Sequence, residues 1–268
     1  MKLPVLSITG QKIGEQELPE QFHEPVREDL IQRAVLALQT KRRNRYGAKP
    51  TAGKRQVTEI SRRRRKYKTS YGRGISRVPR KILSRSGTQF NWEAAFAPGT
   101  RKGRRAHPPK SEKNLVERIN RKENKKAIRS AISASVIKNL VNERGHKVPD
   151  AYPFIIEDKL ESLKKTAEVK AALEKLNLND ELNRCSKIKI RAGKGKMRNR
   201  KYVRKKGPLI VVSKPCSVVK ACSNMPGIDV TNIQSLNAEH LAPGCSPGRL
   251  TIWTQSAINE LKEKNMFK

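Results

Sequence analysis

Seventy consecutive residues, Lys41 to Lys110, carry 23 Lys and Arg side chains against two acids, Glu59 and Glu93. Within them, "KRQVTEISRRRRKYKTSYGRGISRVPRK" runs from Lys54 to Lys81, with four arginines in a row and few apolar residues. Such a stretch cannot bury enough apolar surface to offset the entropy of ordering its backbone. It is nevertheless internal, with patterned apolar sequence on both sides. A chain of this kind must therefore fold around the segment, and the segment must find its counter-charge elsewhere.

The rest of the composition points the same way. The 268 residues hold 60 Lys and Arg against 24 Asp and Glu, a formal net charge of +36. The length suits one medium domain or two small ones. Self-repulsion at this charge opposes compaction unless a polyanion neutralises it. The abundant polyanions are nucleic acid and anionic membrane. No apolar run approaches the roughly 20 residues of a spanning helix, and the opening "MKLPVLSITGQK" lacks the pattern of a signal peptide. Nucleic acid is the expected partner, and no membrane association is expected. Cys185, Cys216, Cys222 and Cys245 form no C-x-x-C pair. They are expected to be reduced thiols rather than a zinc site or a disulfide framework.

A second basic run, 186–207, has 11 cations and no acid. Outside the two runs the balance of charge is ordinary and a fold is legible. "VLSI", "PFII", "PLIVVS", "IDV" and "LTIW" read as short strands. Helices are expected after Pro25, from an N-cap at Ser111 to Arg144, after Thr166, and at the C-terminus to about Lys264. Short apolar strands alternating with helices predict an α/β fold: a largely parallel sheet covered by helices, a Rossmann-like three-layer body. The expected organisation is a body of residues 1–40 and 111–268, a basic RNA-contact segment 186–207, and one long extended internal basic loop, 41–110.

That loop is far longer than a normal connection, so it is either disordered or functional. On its own it is expected to be disordered. Tyr46, Tyr67, Tyr71, Phe90 and Trp92 are interleaved with arginine. Rings and guanidinium planes stack on unpaired bases, and arginine forks onto phosphate oxygens. Two limbs of 35 residues reach at most about 115 Å, at ~3.3 Å per residue, enough to penetrate a large RNA. The charge runs make candidates of Arg45, Arg62, Arg63, Arg64, Arg65, Lys66, Arg80, Lys81, Arg85, Lys102, Lys187 and Arg204.

Catalysis finds little support. Gly193 and Gly195 flank lysine, but a P-loop would need glycine at Ile190 and Ser or Thr at Met197. The turn "TGQKIGEQE" is a weak dinucleotide signal, the five aspartates form no paired motif, and the four histidines are scattered. No catalytic residue, cofactor or metal is expected. An RNA-modifying enzyme and a free RNA-binding regulator are the alternatives, both using the same basic surfaces.

Several long stretches, in order, carry a resemblance. "LALQTKRRNRYGAKPTAGKR", "GRGISRVPR", "APGTRKGRRAHPPKSEKN", "IRAGKGKMRNRKY" with "GPLIVVS", and "DVTNIQSLNAEHLAPGCSPGRLTIWTQSAI" cover nearly the whole chain. They resemble the large-subunit ribosomal protein four family, in its archaeal form. The resemblance implies a structural constituent of the large ribosomal subunit in the cytoplasm. It implies an α/β body on the subunit surface and a loop threaded into 23S-type ribosomal RNA, supporting assembly and lining the nascent-peptide exit tunnel. Its implied partners are that RNA, neighbouring large-subunit proteins and the nascent peptide, with one copy per ribosome and no homo-oligomer. The limbs then match Arg42, Arg43, Lys54, Arg55, Arg101, Arg104, Arg105 and His107. The second signature matches Lys194, Lys196, Arg198, Arg200 and Lys201. The tunnel tip falls on Tyr67, Lys68, Tyr71, Gly72, Arg73, Gly74 and Arg77.

Overall fold

The computed structural model of the protein describes residues 1–268. In chain order the strands are β1 (Lys2–Leu6), β2 (Lys12–Glu17), β3 (Arg80–Ser86), β4 (Gln89–Ala94), β5 (Ile155–Ile156), β6 (Lys189–Ile190), β7 (Tyr202–Val203), β8 (Leu209–Val212), β9 (Asp229–Asn232) and β10 (Thr251–Thr254). The helices are α1 (Glu28–Arg42), α2 (Arg121–Val136), α3 (Lys138–Glu143), α4 (Thr166–Lys175), α5 (Asn179–Ser186), α6 (Ser217–Cys222), α7 (Ala238–Leu241) and α8 (Gln255–Glu263). The chain divides into two units, Met1–Arg42 with Val116–Lys268, and Arg43–Leu115.

The first unit is built on a six-stranded sheet in the order β2-β1-β5-β10-β8-β9. Only the β1–β2 pair is antiparallel; β1–β5, β5–β10, β10–β8 and β8–β9 are parallel. The period of two in each strand sends alternate side chains to opposite faces. Leu209, Val211, Ile155 and Trp253 join one core with residues of α1, α2 and α8. Ile210, Val212, Ile156 and Ile252 join a second core with residues of α4 and α6. Both faces are thus covered, which is why β8 reads as an uninterrupted apolar run and all four of its residues are buried.

The helices start and stop for local reasons. Glu28 and Asp29 open α1 and Lys41 and Arg42 close it, each charge complementing the helix dipole. Ser111 does not cap the next helix. Asn120 does, in a capping box with Glu123, so the helix begins nine residues later than a cap at Ser111 would place it. It also breaks at Ile137, whose backbone is extended, so the expected single helix to Arg144 is α2 followed by α3. On α2 the small residues Ala127, Ser130, Ala131, Ser133, Ala134 and Ser135 are buried. The strand expected at "VLSI" lies earlier, at β1, and the strand at "PFII" is reduced to Ile155–Ile156. The edge strand β2 is polar and largely exposed, so no apolar run announced it.

The second unit is not a bare extended loop. β3 and β4 form an antiparallel hairpin, and a bridge between Glu59 and Arg80 continues it. Tyr67 meets Phe90 edge-on and Phe90 tilts against Trp92, with centroids 5.3 Å apart in each pair. In "QFNWEA" the rings of Phe90 and Trp92 share one side of β4 by simple alternation, a period-two signal in a stretch, 86–100, that holds no Lys or Arg. The limbs also run together, as Ala48 N–H donates to the Pro109 carbonyl at 2.9 Å.

Candidate nucleic-acid interface

In the second unit the aromatics act as platforms for cations. The Arg77 guanidinium lies 4.4 Å from the Tyr71 ring centre, Arg43 5.8 Å from Tyr46, Arg80 5.7 Å from Trp92 and Arg104 5.8 Å from Phe96. Such stacking fixes a guanidinium plane while leaving its N–H fork free for phosphate or a base edge. Two cations are paired within the unit, Lys68 with Glu59 at 2.5 Å and Lys81 with Glu93 at 3.5 Å. Arg62, Arg63, Arg64, Arg65 and Lys66 are exposed, as are Arg43, Arg45, Lys54, Arg55, Arg73, Arg77, Arg85, Arg101, Lys102, Arg105 and His107. Arg80, Lys81, Lys68 and Arg104 are half-buried.

Two features hold this shape. Gly53 has φ +75°, and a Cβ there would meet the Arg104 backbone at 2.5 Å, so only glycine lets the outgoing and returning limbs touch. Arg65 and Lys68 have φ of 56° and 60°, a left-handed backbone that residues with a Cβ adopt only when their surroundings impose it. The buried Thr69 and Ser70 follow directly. Gly72 and Gly74 also have positive φ and flank the exposed Arg73. Near the limb bases, Arg43, Tyr46, Arg105, His107 and Pro108 line a groove of about 750 Å³.

In the first unit the run 186–207 folds back as a two-stranded ribbon, Lys189 opposite Val203 and Ile190 opposite Tyr202. A short 3₁₀ turn, Gly193–Arg198, makes its tip, closed by Asn199 in the left-handed region. Lys187, Lys194, Lys196, Arg198, Arg200, Lys201 and Arg204 are all exposed. So are Ile188, Ile190, Met197 and Tyr202, at 50%, 64%, 85% and 60%. Apolar side chains this open among cations suit contact with ribose and base faces.

The base of this ribbon rests on a buried polar network that no sequence motif marks. Glu181 is fully buried and accepts from Arg184 through both carboxylate oxygens, at 2.6 and 2.7 Å. His146 Nδ1–H donates to it at 2.7 Å and Lys147 N–H at 2.9 Å. Burial pushes its pKa up, but these donors outweigh burial and hold it at about 2. Burial also lowers the His146 pKa despite the neighbouring carboxylate. Arg184 then reaches the Lys206 carbonyl at 2.7 Å. Arg249, 1% exposed, donates to the Gly207 carbonyl at 2.8 Å and to Asp229 at 2.6 Å. Gly227 has φ +78°, and a Cβ there would collide with the Lys205 carbonyl at 2.8 Å and with Cys185. Glu181 and Arg184 pair across one turn of α5, but His146, Arg249 and Asp229 are distant in sequence and join the network only through the fold.

No group of three or more His, Cys, Asp and Glu side chains is placed to hold a metal ion. All four cysteines are free, and burial pushes the thiols of Cys185 and Cys222 up to about 11. No helix is long and apolar enough to cross a membrane.

Residues 16–264 match the model of the Ribosomal protein L4/L1 family. The large ribosomal subunit protein uL4 of Nanoarchaeum equitans is 47% identical over 268 residues, covering 100% of both chains. The proteins of the same name from Archaeoglobus fulgidus and Methanocaldococcus jannaschii are each 44% identical, over 98% of this chain and 99% of theirs.

Proposed function

The chain belongs to the ribosomal protein L4/L1 family, and from that premise we propose how its two basic surfaces serve the ribosome. It is a structural constituent of the large ribosomal subunit, works in the cytoplasm and is not an enzyme. Ribosomal RNA and neighbouring ribosomal proteins are its partners there.

The finer reading rests on one observation: the exposed cations of 41–110 and 186–207 greatly outnumber the carboxylates beside them. Only an external polyanion can neutralise them. In this reading the segment 41–110 is an extended loop threaded into the 23S-type RNA. Its two ends are anchored in one three-layer body made of 1–40 and 111–268. Consistent with anchoring, Glu117 N–H donates to Thr40 Oγ1 at 3.1 Å, so the chain leaves and re-enters the first unit at one place. Arg43, Arg45, Lys54, Arg55, Arg101, Arg104, Arg105 and His107 hold phosphates along the limbs. Tyr67, Lys68, Tyr71, Gly72, Arg73, Gly74 and Arg77 form the tip beside the nascent peptide in the exit tunnel. Lys194, Lys196, Arg198, Arg200 and Lys201 hold a second RNA site. One copy serves each subunit.

Sedimentation of native lysate on a sucrose gradient, with a high-salt wash and detection of this chain, tests the reading. Co-migration with large subunits in near one-to-one amount after the wash is expected of a threaded protein. Release at modest salt would mean surface electrostatics only and would sink the threading.

A further inference from the structure

The parallel strands of the first unit end side by side, and their chains then part. The connection after β5 leads to α4, whose buried residues lie in the second core, while β10 leads into α8, whose buried residues lie in the first. Paired strands β5 and β10 therefore send their chains to opposite faces of the sheet. So do the paired strands β10 and β8, since β8 leads into α6 in the second core. A crevice opens at the carboxyl ends of strands that part in this way, and open α/β sheets hold their ligands there.

In this chain the crevice is taken by the chain itself. A 3₁₀ turn, Asp158–Ser162, follows β5 and carries Glu161 into it. Glu161 Oε1 accepts from Ser213 N–H at 3.1 Å, from Thr254 Oγ1 at 2.7 Å and from Ser256 Oγ at 2.9 Å. Its Oε2 accepts from Ser213 Oγ at 3.1 Å. Ser213 follows β8, Thr254 ends β10 and caps α8, and Ser256 lies in the first turn of α8. Thr254 is fully buried. The turn is pinned beside the carboxylate as well, because Ser256 N–H donates to Asp158 Oδ1 at 2.7 Å and Ser217 Oγ to the Glu161 carbonyl at 3.0 Å.

The donor set is that of a ligand site. Elsewhere in this body, carboxylates are held by arginine, as Glu181 is by Arg184 and Asp229 by Arg249. The donors to Glu161 are neutral: hydroxyls and a backbone N–H, beside the positive end of the α8 dipole. Helix N-termini and backbone N–H groups hold bound anions in the same manner. The donors address two oxygens, which suits a carboxylate. Asp158, already on the Ser256 N–H, disfavours a dianion such as phosphate.

We propose that this crevice is a carboxylate-binding site filled within the chain by Glu161, and that it takes a free monocarboxylate once that side chain is cut back. The site is separate from both basic surfaces and does not depend on the ribosomal role.

Glu161→Ala removes the atoms of one acetate ion and leaves the donors in place. Thermal unfolding of the full-length variant and of the unaltered chain, in sodium acetate, in sodium chloride of equal ionic strength and in acetamide, tests the proposal. A chain of net charge +36 attracts acetate loosely all over its surface. The readout is therefore the rise in Tm in acetate over chloride, compared between the two proteins. Acetamide has the shape of acetate without its charge. At about 0.1 M, roughly tenfold above a Kd on the order of 10 mM, acetate should raise the Tm of the variant by about 3 °C more than that of the unaltered chain. Acetamide should not. Adding Ser213→Ala and Ser256→Ala to the variant should remove the excess, because each takes away a hydrogen bond to a charged group. An equal rise in both proteins, an equal effect of acetamide, or an excess that survives loss of the hydroxyls would overturn the proposal. If Glu161→Ala does not fold unaided, the yield on refolding gives the same reading. Acetate should then restore soluble protein where chloride and acetamide do not, and equal yields in all three would overturn it.

Discussion

A carboxylate stripped of water survives ionised only where N–H donors replace the solvent, and Glu181 has four of them from His146, Lys147 and Arg184. Its pKa of about 2 lies below the usual 4.5, so the folded state favours the charged form. The stability this gives is complete above pH 4.5 and is lost as pH falls from 4.5 toward 2. Between pH 6 and pH 3 that loss is on the order of 2 kcal/mol. Glu181→Gln keeps the shape and removes the titration. Urea unfolding at the two pH values should therefore show a smaller acid loss in the variant by about that amount. An equal acid loss in both proteins would mean the carboxylate is not held as described. In the sequence Glu181 is one acid of a polar helix, with no pattern to set it apart. His146 becomes its neighbour only because the fold brings it to α5, whereas Arg184 stands three residues on along the same helix and pairs with it locally.

At the scale of elements, the proposed RNA contact of the β6–β7 ribbon would be of two kinds: its cations acting through counterion release, and its exposed Ile190, Met197 and Tyr202 through contact. Replacing Lys194 and Lys196 with Ala should weaken RNA binding evenly across sequences. It should also flatten the slope of log K against log salt by roughly 1.4 to 1.8, at 0.7 to 0.9 per phosphate contact. Replacing Tyr202 with Ala should weaken binding with the slope unchanged. Filter binding over a salt series reads both, and a changed slope for Tyr202→Ala would show that its role is electrostatic. The basic run itself was legible, since charge is a property of composition. The ribbon was not, because two-residue strands carry too few apolar positions to set a period. The same holds for the β3–β4 hairpin, where Phe90 and Trp92 alternate in a stretch free of Lys and Arg but are only two apolar positions, too few to set a period. The start of α2 was misread for a related reason: an apolar stripe locates a helix, but the Asn120–Glu123 box sets where it begins.

For the whole molecule, the cores belong to the first unit, and the second has only a small aromatic stack and a few buried residues. Deleting Thr51–Arg85 should leave a body that unfolds cooperatively, with a Tm within a few degrees of the intact chain, because no core residue is removed. The same deletion should impair subunit assembly or perturb translation. A body that no longer unfolds cooperatively would mean the segment stabilises the fold; normal assembly and translation would mean it has no ribosomal role. The sequence by itself determined the class of partner, the α/β class and the positions of both basic surfaces. Charge density and apolar periodicity are local quantities that no packing can change. Only the tertiary structure decided the strand order, the burial of Glu181 and Arg249, the contact of Gly53 with Arg104, and the convergence of Ser213, Thr254 and Ser256 on Glu161. Each of these joins residues distant in the chain; in the first unit such pairings depend on which faces meet when two layers of helices close over one sheet, and in the second on which limbs lie side by side.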